Sequence, residues 1–116
     1  LYPVLGDQAL AGGDWDGAIR AYSRIIDLDG GTVQVHNNLA ALYRRTGDRA
    51  RALRVCDQAV RQFPSSPGPY FTRALLLDES GDETAALAAY RTFLKSWPSL
   101  DRLSGHARVR VAKLTP

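Results

Sequence analysis

The segment LAALYRRTGDRARALRVCDQAVRQFP, residues 39–64, contains two stretches with apolar residues at helical spacing, separated by the pair Gly47-Asp48. Glycine suits the left-handed residue that follows a helix. Aspartate suits the cap whose side chain accepts hydrogen bonds from the free N–H groups of the next helix. Pro64 falls where the second stretch must end, because proline lacks the N–H and clashes with the preceding turn. The segment therefore predicts a helix, a tight turn and a second helix.

This pattern occurs three times along the chain. The Gly-Asp pair recurs as Gly13-Asp14, Gly47-Asp48 and Gly81-Asp82, each 34 positions after the one before. Other positions keep the same interval, namely Ala18, Ala52 and Ala86, then Tyr22, Cys56 and Tyr90, and finally Gly30, Pro64 and Pro98. A fixed period of this length is typical of stacked helical hairpins. We predict three hairpin repeats, over residues 1–32, 33–66 and 67–98.

The chain after Pro98 has a different pattern, in which one face is apolar and the others carry basic residues. The apolar residues are Leu100, Leu103, Ala107, Val111 and Leu114. A helix of this kind covers the apolar face that a stacked array leaves at its end, so residues 99–114 are predicted to form a capping helix. The sequence thus predicts seven helices with turns at the three Gly-Asp pairs and no strand. The residues expected to be buried include Leu39, Ala52, Tyr90 and Leu103.

The 34-residue hairpin resembles the tetratricopeptide repeat (TPR) family over almost the whole chain. The family pattern on the first helix is matched in the second repeat by His36, Leu39, Ala40 and Tyr43, and the pattern on the second helix is matched in the third repeat by Ala86, Tyr90, Phe93 and Pro98. Ala9 and Arg73 depart from it. The resemblance implies an all-α fold, a right-handed superhelical array of three helix-turn-helix repeats plus a C-terminal capping helix.

The resemblance also implies a function and a site. Family members hold extended peptides or helices on the concave surface of their first helices, so we expect a non-catalytic protein–protein interaction or scaffolding module. Transferring the family geometry places the following residues in the peptide-binding groove: Asp7, Gln34, Asn37, Asn38, Ala41, Arg44, Arg45, Phe71, Leu75 and Asp78. Two apolar residues, Phe71 and Leu75, beside an arginine pair would suit a peptide ligand. Alternatively, both pack on the capping helix.

Charge is distributed unevenly among the repeats. The formal net charge is +3, but residues 35–68 carry six Arg against two Asp, while residues 1–34 carry two Arg against five Asp. A basic middle between more acidic hairpins argues against a continuous nucleic-acid track, and it could select an acidic or C-terminal carboxylate ligand. A solvated helix face explains the same arginines without a ligand, so both interpretations stay open.

Some family members bind the acidic tails of heat-shock chaperones through a clamp of lysine, asparagine and arginine. In this chain Asn38 matches the middle asparagine of the clamp, but Pro3, Asp7, Gly68 and Thr72 stand at the other clamp positions. Without the cations, the charge-assisted bonds that hold two carboxylates are lost. We therefore expect the chain not to be a chaperone adaptor of that type.

Other chemistry is not indicated. Cys56 and His36 occupy slots that tyrosines fill in the other repeats, so both are predicted to pack, and His106 is predicted to stand alone on the surface. The glycines around Gly13 lack the Lys-Ser/Thr ending of a phosphate loop, and Asp27 to Gly31 is too short for an EF-hand. No run approaches a membrane span. We expect no cofactor, no metal, no nucleic acid, no membrane insertion and no catalytic site.

Two alternatives remain open. Since the sequence contains no methionine, we expect the chain to be part of a longer protein, in which it could be an accessory or regulatory domain of an enzyme whose catalytic part lies upstream. It could also self-associate as a homo-oligomer through an uncapped N-terminal end formed by Tyr2, Leu5 and Ala9. Many Arg and Ala with few Lys are typical of a GC-rich bacterial genome. The compartment cannot be read from the sequence, with the cytoplasm slightly favoured over the periplasm.

Overall fold

The structure, a computed structural model, describes residues 14–98 and 101–115. Six α-helices follow one another over these residues: α1 (Trp15–Asp29), α2 (Val33–Arg45), α3 (Arg49–Gln62), α4 (Pro67–Glu79), α5 (Glu83–Ser96) and α6 (Asp101–Leu114). No strand occurs in the described ranges. The predicted helix ahead of Gly13 and the turn at Gly13 lie outside them. The other six predicted helices are confirmed, as is the all-α superhelical fold.

The turns within the hairpins have the geometry that the Gly-Asp pair predicts. Gly47 and Gly81 both have φ of 86°, in the left-handed region where a side chain would be strained. Asp48 caps α3 by accepting a hydrogen bond from the backbone N–H of Arg51 at 3.1 Å. Asp82 caps α5 in the same way, from the N–H of Ala85 at 3.1 Å. These caps satisfy backbone donors that helix starts otherwise leave free.

The prolines end the second helices as predicted. The helix α3 stops at Gln62, and α5 stops at Ser96, two residues before Pro64 and Pro98 respectively. Pro67 is the first residue of α4, where its missing N–H costs nothing because that group would have no partner inside the helix. One residue type therefore ends one helix and begins the next.

The core consists of two packed clusters. The first joins α1, α2 and α3 with Leu76 of α4 and includes Tyr22 and Cys56; the second joins α4, α5 and α6 and includes Tyr90. Ala18, Ala52 and Ala86, which stand at the same position of the three repeats, are each 0% exposed. Leu39 and Tyr90 are buried as predicted. Leu103 is only half-buried, although it packs against the second cluster.

The departure at Arg73 has a structural role. Arg73 follows Leu39 by one repeat length, and its Nε donates a hydrogen bond to Oδ1 of Asp57 at 2.8 Å. This ion pair joins α4 to α3 across the seam between the second and third repeats. At the preceding seam, between α1, α2 and α3, a recess of about 370 Å³ remains, with Leu39 on its wall.

Candidate peptide-binding face

The first helices of the second and third repeats, α2 and α4, lie side by side. They are in contact at Gly68, where an added Cβ atom would lie 2.7 Å from Nδ2 of Asn37. A glycine therefore permits Asn37 to pack against the backbone of α4 at this point. Gly68 occupies a position at which the chaperone clamp would need a lysine, and its small size is used for packing.

Several predicted site residues lie on these two helices, four of them on α2 at the spacing of one helix face. We call this set the α2–α4 face and define it by Gln34, Asn37, Asn38, Ala41 and Leu75. Gln34 and Ala41 are exposed, whereas the two asparagines and Leu75 are half-buried. Leu75 belongs to neither core cluster. The predicted site residue Asp7 lies outside the described residues.

Phe71 does not lie free on this face, because it packs against the capping helix and the second cluster. Its ring centroid lies 5.5 Å from that of Phe93 and 5.5 Å from that of His106, in edge-on arrangements. The packing alternative considered for Phe71 is therefore the one that the structure supports. His106 is exposed as predicted, but it does not stand alone, since its ring also lies 6.0 Å from that of Tyr90.

Arg44 is already paired within the molecule. Its Nε donates to Oε1 of Glu79 at 2.7 Å, and its Nη2 donates to the second carboxylate oxygen. This two-point ion pair joins the end of α2 to the end of α4. The guanidinium holds the pKa of Glu79 below its ordinary value, chiefly through these hydrogen bonds. Both side chains remain about one-third exposed.

Arg45 and Arg49 surround the same ion pair. The guanidinium carbon of Arg45 lies 4.6 Å from the centre of the Trp15 ring, the geometry of a cation–π contact. Arg49 is the first residue of α3 and contributes to the lowered pKa of Glu79 through its charge. A recess of about 470 Å³ lies among these groups; we call it the arginine recess and define it by Arg44, Arg45, Arg49 and Glu79.

Asp78 also differs from the sequence expectation of a groove-facing acid. Its carboxylate accepts two hydrogen bonds from Arg110 of the capping helix, both 2.7 Å long, and a third from the hydroxyl of Tyr90 at 2.9 Å. Only 13% of its side chain is exposed. Hydrogen bonding from Arg110 and then from Tyr90 keeps the pKa of Asp78 low. Asp78 is thus held by the capping helix and is not available to a ligand in this arrangement.

Cys56 and His36 fill packing positions, as predicted. Burial raises the pKa of the Cys56 thiol to about 12, so the thiolate needed for nucleophilic chemistry is not formed near neutral pH. His36 is 1% exposed; its Nδ1 lies 2.8 Å from the carbonyl oxygen of Thr32, and its ring packs edge-on against Phe63. Within the described ranges, no cluster of three or more His, Cys, Asp or Glu side chains is arranged to hold a metal ion. None of the described helices is long and apolar enough to cross a membrane.

Sequence reasoning missed three contributors to this region. Trp15 contacts Arg45, Arg49 borders the arginine recess, and Arg110 holds Asp78. A sequence signal was available for Arg49. It stands in the first turn of α3, whereas the other two second helices, α1 and α5, carry an acid in the first turn, Asp16 and Glu83. No comparable signal existed for Arg110, because its contact depends on how the capping helix docks.

The comparisons with known proteins agree with this architecture. Two family models described as tetratricopeptide repeat match the chain, one over residues 4–67 and the other over residues 39–114. No curated protein sequence matches it.

Solved structures resemble the chain in fold. The second TPR domain of human RPAP3, in complex with the HSP70 peptide SGPTIEEVD, is 22% identical with a TM-score of 0.81, covering 99% of this chain and 92% of that chain. The TPR2B domain of yeast Sti1, in a complex with pHsp70, is 16% identical with a TM-score of 0.83 (98% and 93% covered). The Arabidopsis OM64 TPR domain is 23% identical with a TM-score of 0.80 (98% and 91% covered).

Proposed function

Because the chain belongs to the tetratricopeptide repeat family, we propose that its α2–α4 face holds an extended segment of a partner protein. Domains of this family are generally protein–protein interaction modules without catalytic activity, and this chain is an interaction module. Human RPAP3 and yeast Sti1 domains of the same fold bind chaperone peptides. The ligand-holding face and the absence of catalysis in this chain are the parts that we propose.

The observation that carries the proposal is the pair Asn37 and Asn38. Both are half-buried, yet neither side chain makes a hydrogen bond to any described residue. An asparagine amide has two donors and an acceptor, which match the N–H and C=O groups of an extended peptide backbone. Leu75, half-buried and outside both core clusters, supplies apolar surface beside them. Backbone bonding next to an apolar contact suits an extended segment.

The partner is not expected to be held by the two-carboxylate clamp of chaperone adaptors. Gly68 and Thr72 replace two of its cations on α4, and Gly68 is packed against Asn37. Arg44 cannot replace them without giving up its ion pair with Glu79. We therefore expect the peptide SGPTIEEVD, which human RPAP3 binds, to bind this chain weakly.

The proposal can be tested by selecting peptides from a displayed random library against the wild-type protein. The affinities of the selected peptides are then measured by fluorescence anisotropy for Asn38→Ala and Leu75→Glu, with Arg61→Ala as the control because Arg61 is exposed on α3 away from the face. We expect each face variant to lose at least about tenfold in affinity and the control to stay within about twofold. Circular dichroism checks that all variants remain helical.

Peptides whose affinity falls only with Arg61→Ala would show that the second helices bind the partner, and the α2–α4 face would then be the wrong site. An affinity that is the same in all three variants as in the wild type would likewise contradict the proposal.

A further inference from the structure

The arginine recess has more positive charge than the protein itself neutralises. Arg44 is paired with Glu79, whereas no described carboxylate lies within 4.0 Å of Arg45 or Arg49. Three guanidinium groups and one carboxylate leave a net charge of about +2 in a space of about 470 Å³. A recess of this kind is complementary to a ligand that carries two negative charges.

Helix stability does not explain why Arg49 is there. The three second helices start with the same aspartate cap, and α1 and α5 continue with an acid in the first turn, Asp16 and Glu83. Acids are favoured there because the N-terminal end of a helix carries a partial positive charge. The helix α3 has no acid in its first turn and begins with Arg49. A cation at that position slightly destabilises the helix, and the favourable interaction that the structure gives Arg49 is with the charge of Glu79 in the recess.

One cation of the recess is held in place before any ligand arrives. The Trp15 ring supports the guanidinium of Arg45, whereas the two-point ion pair with Glu79 engages Arg44. Holding flexible side chains in place lowers the entropy lost on binding. Guanidinium groups also match carboxylates through parallel hydrogen bonds.

The neighbouring turns limit the length of the anion. Asp82 and Glu83 follow the turn at Gly81, and Asp14 and Asp16 stand at the start of α1; all four are exposed. These acids follow Glu79 and flank Trp15 in the chain, so negative charge close to the recess disfavours a long polyanion such as a nucleic acid. A short acidic stretch of peptide is disfavoured less.

We propose that the arginine recess binds two neighbouring Asp or Glu side chains of the partner segment, with Arg45 and Arg49 as the contacts and Glu79 as an internal competitor for Arg44. This rests on the proposed function, since the acidic residues belong to the segment that the α2–α4 face holds. Glu79 lowers the affinity because its carboxylate occupies Arg44 and adds negative charge. Removing that charge therefore strengthens binding.

The test uses two probes, hexaglutamate and hexaglutamine, titrated at low salt into the isotope-labelled protein. Binding is followed through the Trp15 indole N–H signal in nuclear magnetic resonance, assigned by comparison with Trp97→Phe. We expect hexaglutamate to shift this signal and hexaglutamine to leave it unchanged. Arg49→Gln should weaken hexaglutamate binding by about fivefold or more, and Glu79→Gln should strengthen it by about threefold or more. Both effects should shrink as salt is raised.

Arg61→Gln is the matched control, since it removes the same charge from the same helix at its other end. If Arg61→Gln weakens binding as much as Arg49→Gln, the attraction is non-specific and the recess is not a site. Unchanged affinity in Glu79→Gln would equally overturn the proposal.

The experiments distinguish the failure of the recess proposal from the failure of the peptide-binding proposal. If hexaglutamate does not bind but selected peptides still depend on Asn38 and Leu75, the recess proposal is wrong and the peptide-binding face stands. If hexaglutamate binds at the recess but no peptide depends on Asn38 or Leu75, the recess stands as an acidic site and the α2–α4 face is not the groove.

Discussion

Two ion pairs in this molecule start from the same position of the repeat. Arg44 and Asp78 are one repeat length apart, each near the end of a first helix. Arg44 pairs with Glu79 of the next first helix, and Asp78 pairs with Arg110 of the capping helix. The repeat position carries a base in one pair and an acid in the other, but each pair joins a first helix to the equivalent helix that follows it, α2 to α4 and α4 to α6.

The surroundings of the two pairs differ. About one-third of each side chain in the Arg44–Glu79 pair is exposed, while Asp78 is mostly buried and also accepts a hydrogen bond from Tyr90, a residue that is 0% exposed. Exposed ion pairs contribute little to folding, whereas breaking a buried hydrogen-bonded group leaves its partners unsatisfied. The same position thus docks the capping helix at one seam and remains partly exposed to solvent at the other.

The largest effect is expected from Asp78→Ala. This change leaves the buried Tyr90 hydroxyl without its acceptor and frees Arg110 from the capping contact. We expect the free energy of unfolding to fall by about 1–3 kcal/mol, measured by urea denaturation. Asp57→Ala, which breaks the more exposed pair with Arg73, is the control and should cost at most about 1 kcal/mol. A greater loss in the control would reverse the comparison.

A smaller effect is expected from Tyr90→Phe. The ring stays packed in the second cluster, so only the hydrogen bond to Asp78 is removed. The loss should be about 1 kcal/mol by the same measurement. In the background of Asp78→Ala the additional loss should be close to zero, because the acceptor is already gone. Full additivity of the two changes would mean that the hydroxyl and the carboxylate do not interact.

The acid dependence of stability distinguishes the pairs further. The pKa of Asp78 is lowered on folding from its ordinary value of 3.8, so the charged form stabilises the native state. This stability is present above the ordinary pKa of 3.8 and is lost as the pH falls from there through the lowered native pKa. Wild type and Asp78→Asn should therefore differ in melting temperature at pH 6 and converge as the pH drops below about 3.8. A difference that stays constant down to pH 2 would contradict this origin.

The smallest effect on folding is expected from Glu79→Gln. The pair with Arg44 is exposed, so the free energy of unfolding should change by less than about 0.5 kcal/mol. Thermal and urea denaturation would check this, with Asp78→Ala measured alongside. A loss comparable to that of Asp78→Ala would mean that both pairs are structural, and the contrast between the two seams would disappear.

Much of the fold could be predicted because it depends on local chemistry. The interval between the Gly-Asp pairs placed the turns at Gly47 and Gly81, and the prolines placed the ends of α3 and α5. The candidate face was predicted less completely. Asn38 and Leu75 are half-buried and their place in a groove stays a prediction, whereas Phe71 and Asp78 are engaged by the capping helix. A periodic pattern indicates which side of a helix a residue occupies and not which neighbour contacts it.

The sequence by itself determined the turns and the helix caps, because each depends on residues a few positions apart, and the 34-residue interval between these signals determined the repeat. Only the tertiary structure decided the pairings of Arg44 with Glu79 and of Asp78 with Arg110, which join residues 35 and 32 positions apart. Contacts between residues so far apart in sequence are set by the stacking of helices, which positions side chains of different repeats against each other. For the same reason, the accumulation of positive charge around Arg45 and Arg49 became visible only when the ends of α2 and α4 and the start of α3 were brought together.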